Sequence, residues 1–224
     1  MAGRQQTKSP DETERHAPVE AVRRRKQAER SAVSEQRILR AAAKLIARQG
    51  YTGTTLAEIG TEAGYTAGLV SHRFGSKLGL LRSLVEHIRG RFYRDQLEQA
   101  LGDATGLDAL CSAVDTYLNE LLVREERIRV LYVLMGEALG PVPELRPVFA
   151  DLNQGFRALA ERWIESGIAG GEVARAADPR VEAALFVGAL RGVAMQWLTD
   201  PGCFDLDQAR ERLKNDLRRR LRKE

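Results

Sequence analysis

An all-α fold is predicted from three features of the 224-residue chain. No proline interrupts it between Pro18 and Pro141, apolar residues recur at three- and four-residue intervals, and alternating runs of β-branched residues are absent. Alternation would mark half-buried strands, whereas three-and-four spacing gathers apolar side chains on one face of a helix.

The elements follow in order. Residues 1–33 hold no Ile, Leu, Phe, Tyr or Trp but do hold the basic run Arg23-Arg24-Arg25-Lys26, so they read as a disordered basic arm able to touch phosphates. A first helix begins near Ser34, with Ile38, Ala42, Leu45 and Ile46 on its buried face, and stops at Gly50. Thr55-Leu-Ala-Glu58 is a capping box opening a short helix that Gly64 ends. Thr66 caps another, with Tyr65 and Val70 placed as a hydrophobic staple. Leu81, Leu84, Val85, Ile88 and Phe92 mark a long fourth helix, and Leu107, Leu110, Val114, Leu118 and Leu121 a fifth. Further helices are expected at about 126–139, 144–167, 180–198 and 206–222, set apart by prolines and glycines, for about nine in all.

Charge is unevenly spread. The net +4 is the sum of +6 over residues 1–81, −6 over 82–217 and +4 over 218–224, which points one end of the chain at a polyanion. No run approaches the roughly 18–20 apolar residues of a membrane span, and the N-terminus lacks the apolar core of a signal peptide. Two cysteines without a CxxC spacing fit a reducing cytoplasm, and His16, His72 and His87 are not spaced as metal ligands. With no Ser-His-Asp set, HExxH, Walker loop or dinucleotide glycine motif, neither an enzyme nor a cofactor is expected.

Two short capped helices joined by a glycine turn make a helix-turn-helix unit, whose second helix enters the major groove of DNA. Val70 and Phe74 lie four apart and face the core, so Ala67, Gly68, Ser71 and His72 fall on the exposed side. Glycine at 68 costs about 1 kcal/mol of helix stability relative to alanine, a cost that close approach to a sugar-phosphate backbone explains.

The run from Gly50-Tyr51 through Thr54-Thr55, Ala63-Gly64, Ser71-His72-Arg73-Phe74 and Ser76-Lys77 resembles the DNA-binding domain of the TetR family of bacterial regulators. The match spans about 34–85; the remainder resembles the family only in size, helix count and layout. The resemblance implies a helix-turn-helix domain at 34–80 and a ligand-binding and dimerisation domain at 81–224. It implies that Thr55 binds a phosphate, that Thr66, Ala67, Gly68 and Leu69 front the recognition helix, and that His72 and Lys77 contact the DNA backbone. This chain departs from the family at Ser71 and Arg73, where Tyr and His are usual, and at Gly79, where Glu is common. Arg73 is the expected substitute for the lost tyrosine contact. Base readout through Ala67 and Leu69 is limited to thymine methyls and DNA shape.

In the body, Ala184, Gly188 and Gly192 recur every fourth position and would let two helices approach closely across a homodimer. Leu206, Ala209, Leu213 and Leu217 give the last helix a matching stripe. His87, Tyr117, Tyr132 and Met135, with Phe156, Trp163, Arg191 and Met195, lie on helices expected around an effector cavity. Arg191, a charge in an apolar helix, suits an anionic ligand group or a buried acid. The expected function is a repressor that binds a palindromic operator as a homodimer and is released by a small molecule. An activator, or an architectural DNA binder without effector and with a solid body, stays open at this point.

Overall fold

A computed structural model describes residues 17–222, which form nine helices and no strand. They are α1 (Ala17–Gln49), α2 (Leu56–Ala63), α3 (Ala67–Phe74), α4 (Lys77–Phe92), α5 (Gly106–Val123), α6 (Glu125–Leu139), α7 (Arg146–Gly170), α8 (Pro179–Thr199) and α9 (Leu206–Leu221). α4 continues through a π-helical stretch, Tyr93–Leu97, and a last turn, Glu98–Leu101.

The expected disordered arm is corrected over the residues that are described. α1 starts at Ala17, well before Ser34; residues 1–16 lie outside the described residues. Every side chain from Ala21 to Val33 is exposed, so burial does not hold this segment. It is rich in Ala, Arg, Gln and Glu, all strong helix formers, and Arg25 pairs with Glu29 one turn on, at 3.2 Å. The buried half of α1 already carries the cost of nucleation, so adding turns at its N-terminus requires only favourable propensity.

Two hydrophobic cores form. One gathers Phe92 and Leu97 with the inner faces of α5, α7, α8 and α9. The other joins Ile38, Ile46, Ile59, Val70 and Leu81 of the N-terminal helices to Val130, Leu134 and Ala138 of α6 and to Phe149 of α7. The helix-turn-helix therefore shares its core with the body, most directly through α6.

α9 departs from expectation. Leu206 and Leu217 are buried in the first core, Leu213 packs on its edge and Ala209 is half-buried, so the stripe faces the chain's own α5. Lys214 fixes this docking through Asp115, at 2.9 Å. The basic tail is partly accounted for: Arg220 pairs with Glu182 at 3.1 Å, and Arg222 bridges to Val173.

α8 is apolar on two sides. Ala183, Phe186, Leu190 and Ala194 enter the core, while Val181, Leu185 and Met195 are about half exposed or more, beside exposed Ala184, Gly188 and Gly192. Among the described residues this is the one helix long and apolar enough to cross a membrane by length and composition, although it carries Arg180, Glu182 and Arg191. Its inner face is packed inside the protein, as in a core helix.

Candidate nucleic-acid interface and effector cavity

The reader is built by local chemistry. Glu58 N–H donates to Thr55 Oγ1 at 3.2 Å while Thr55 N–H donates to Glu58 Oε2 at 2.7 Å, completing the capping box at the start of α2. Gly64 turns the chain at φ 76°, and Leu69 N–H donates to Thr66 Oγ1 at 3.2 Å to cap α3. Gly60 permits the tight crossing of these helices: a Cβ there would lie 2.8 Å from the Tyr65 carbonyl oxygen. Gly79 is likewise required, because a Cβ would collide with the Phe74 carbonyl oxygen. The glutamate common in the family at that place does not fit this turn. Neither requirement is visible in sequence, since both arise from contact between neighbouring elements.

Val70 is fully buried and Phe74 packs beside it, leaving Ala67, Gly68, Ser71 and His72 exposed along one side of α3. Around Gly68 the nearest atom to an added Cβ is Thr66 Oγ1 at 3.9 Å, so nothing within the chain requires glycine there. Leu69 is half-buried and lines a shallow groove towards α1 with Tyr65 and Ser34. The exposed apolar surface of α3 is thus smaller than its sequence suggests.

Arg73 corrects a further expectation. Its Nη1 donates to both the carbonyl and the hydroxyl oxygen of Ser31, each at 2.8 Å, and Glu35 lies 3.8 Å away. The side chain ties α3 to α1 instead of standing towards solvent as a substitute tyrosine would. Lys77 caps the aromatic face of Tyr51, its Nζ 4.2 Å from the ring centre, and partial burial lowers its pKa against the pull of Glu137 and Glu58.

Behind the reader, two small chambers of about 20 and 30 Å3 adjoin at Phe92, Tyr117, Phe156 and Arg191. Of the expected pocket residues, Tyr132 and Met135 line the first, Trp163 the second, and Tyr117, Phe156 and Arg191 both. Two expectations fail. His87 faces a separate open cleft of about 460 Å3 between α1, α4 and α6, where burial and nearby Arg91 and Arg127 lower its pKa. Met195 is 51% exposed on the outer face of α8. Their helical registers point them away, by an amount that α4 and α8 periodicity alone does not reveal.

Phe92 and Glu120 were not foreseen in the wall. Phe92 stands where α4 passes into its π-helical stretch, edge-on to Tyr117 at 6.1 Å. π-Helical turns recur at functional sites because they re-aim side chains. Glu120 is 3% exposed and neutralised by Arg124 at 3.1 Å and Arg127 at 3.5 Å. A glutamate with arginine four residues on is the sequence signal that would have drawn attention to it.

A polar chain crosses the cavity wall. Tyr132 OH donates to the Arg191 carbonyl at 3.2 Å, so the 2.9 Å contact between the tyrosine hydroxyls is donated by Tyr117. Desolvation raises both phenolic pKa values. Arg191 donates from Nη1 to Asn153 Oδ1 and Met135 Sδ, and its guanidinium lies 5.8 Å from the Phe156 ring centre.

The chain matches two family models: bacterial regulatory proteins of the tetR family over residues 38–84, and the C-terminal part of BetI-type transcriptional repressors over residues 106–222. It is 28% identical over 196 residues to the HTH-type transcriptional repressor BepR of Brucella suis, covering 82% of this chain and 88% of BepR. Among solved structures it resembles NalD, the secondary repressor of the MexAB-OprM multidrug efflux pump in Pseudomonas aeruginosa. The TM-score is 0.70 at 26% identity, over 87% of this chain and 99% of NalD. It shares the fold of the SmeT repressor of Stenotrophomonas maltophilia in its triclosan complex, with TM-score 0.73, 22% identity, and 86% and 93% of the two chains covered. The helix-turn-helix, the helical body behind it and the two matching models agree: the chain belongs to the TetR family of bacterial transcriptional regulators.

Proposed function

We propose that this regulator is a cytoplasmic repressor that binds a palindromic operator as a homodimer and leaves it when a small molecule occupies the chambers. The observation that carries this reading is the double duty of α4 and α6. α6 lines the first chamber with Ile128, Tyr132 and Met135 and packs Val130 and Leu134 into the reader's core. α4 begins at the end of α3 and reaches the chambers with Phe92.

The chambers, at about 20 and 30 Å3, are far smaller than the roughly 300–1,000 Å3 of pockets that take drug-sized ligands. Binding therefore requires α4, α6 or α7 to move, and movement of the first two shifts the reader. The energy comes from the ligand's preference for the opened form. Such coupling favours an effector-controlled regulator over an architectural binder, and the 28% and 26% identical relatives are repressors. For the dimer, the exposed outer face of α8 offers Ala184, Gly188 and Gly192 with open space beside both glycines. Leu206, Leu213 and Leu217 are engaged within the chain, which favours α8 as the pairing helix.

Selection of random duplex DNA with the purified protein tests this reading. A palindrome whose half-sites lie about one helical turn apart, some 34–36 Å, is expected. An asymmetric or unenriched pool would overturn it.

A further inference from the structure

We propose that the adjoining chambers take a single-chain amphiphile with one compact anionic head, a carboxylate in the simplest case, held by Arg191, and an apolar tail lodged between α4, α5, α7 and α8. This rests on the effector reading above and specifies its ligand class.

Every charged side chain on the cavity wall except Arg191 has an oppositely charged neighbour. Glu120 is shared by Arg124 and Arg127, and Glu86 faces Arg89. Among the described residues no carboxylate pairs with Arg191: its side-chain partners are the neutral Asn153 and Met135 and the face of Phe156. A half-buried guanidinium without a counter-charge is costly, and a carboxylate placed against it recovers that cost with a directed, charge-assisted bond. Both hydrogen bonds leave from Nη1, so the Nη2 edge is available to a ligand. The tyrosines cannot replace it as donors, because the Tyr117 proton is given to Tyr132 and the Tyr132 proton to the Arg191 carbonyl. A cationic head would meet Arg191 as a like charge.

The tail follows from the second chamber. Leu97, Ala113, Leu159, Trp163 and Phe186 make its wall apolar, with Tyr117 and Arg191 as its polar edge. Arg191 borders both chambers, so a head bound there directs a chain into this one. A slender chain needs the least displacement of Phe92 and Phe156, whose rings border both spaces.

Calorimetric titration of the full chain with decanoate, decanol and decyltrimethylammonium, each below its aggregation concentration, tests the proposal. Decanoate is expected to bind at least about 10-fold more tightly than decanol, or 1.4 kcal/mol, and the ammonium not at all. Arg191→Gln should remove the preference for decanoate and leave decanol binding in place; Ala113→Phe should weaken both. Equal binding of decanoate and decanol by the native protein, tighter binding of the ammonium, or an unaltered preference in Arg191→Gln would overturn the ligand class. The comparison within the native protein stands even if a variant fails to fold. Operator titration of the same samples separates the two claims. Decanoate bound through Arg191 with the operator still occupied counts against effector release but upholds the ligand class. Operator release by decanol and decanoate alike does the reverse.

Discussion

The carboxylate of Glu137, near the end of α6, accepts the backbone N–H of Tyr51 at 2.8 Å, and its other oxygen lies 3.3 Å from the N–H of Thr52. These amides follow α1 at the loop that leads into α2, and the Lys77 ammonium covers the Tyr51 ring from the reader side. Two residues before Glu137 on α6, Met135 lines the first chamber. One helix end thus holds the reader's loop by hydrogen bonds while its neighbouring turn faces the cavity.

Removing that hold should loosen the reader. Glu137→Ala leaves two loop amides without their acceptor, and a loss of about 1–3 kcal/mol in stability is expected, with weaker operator binding. Glu137→Gln keeps an acceptor oxygen and should recover part of both. Urea unfolding and operator titration measure the two effects, and native values in Glu137→Ala would show that the contact does not couple the helices.

The glycines of the reader separate packing from recognition. Gly60→Ala and Gly79→Ala place a methyl group against neighbouring backbone, so both should lower the melting temperature. Gly68→Ala meets open space and should stabilise α3 by about 1 kcal/mol while weakening operator binding. If Gly68→Ala bound the operator as tightly as the native chain, close approach of DNA at this position would be refuted.

Phosphate contacts can be told from structural ones by salt. His72→Ala and Lys77→Ala should each flatten the dependence of log affinity on log salt by about one. Arg73→Ala should leave that slope unchanged, because its guanidinium is committed to Ser31. Circular dichroism should instead show earlier melting of the N-terminal part of α1. A flattened slope in Arg73→Ala would return this residue to the DNA interface.

The outer face of α8 carries the dimer prediction. Gly188→Arg points a long cation into open space within one chain, so the fold should be kept. Across a close helix pair the same side chain collides with the partner, and sedimentation equilibrium should show monomers with poor operator affinity. A dimer as stable as the native one would place the interface elsewhere.

How far the sequence was legible depended on whether the cause was local. Capping boxes, glycine stops and apolar periodicity act within a turn or two, so α2, α3 and the body helices stand close to where Thr55, Gly64 and Leu107 foretell them. The start of α1 is not legible in the apolar pattern, because an existing helix extends on propensity alone and needs no buried residues to do so. The direction of Arg73, the requirement for glycine at 79, and the inward turn of Leu206 and Leu217 depend on which element lies opposite. Periodicity identifies the apolar face of a helix but not the surface it meets. For the same reason Tyr117 and Arg191 could be named for the cavity while His87 and Met195 could not be excluded from it.

On the proposed mechanism, two readers stand at a spacing that the body sets and that opening of the chambers alters. Pulsed dipolar spectroscopy measures that spacing with a spin label at Thr61→Cys on exposed α2, in a Cys203→Ser background that leaves only the buried Cys111. An inter-subunit distance distribution is expected that narrows on operator DNA and moves to a different mean when decanoate saturates the protein. No dipolar coupling between subunits, or superimposable distributions in the operator-bound and decanoate-saturated states, would contradict it.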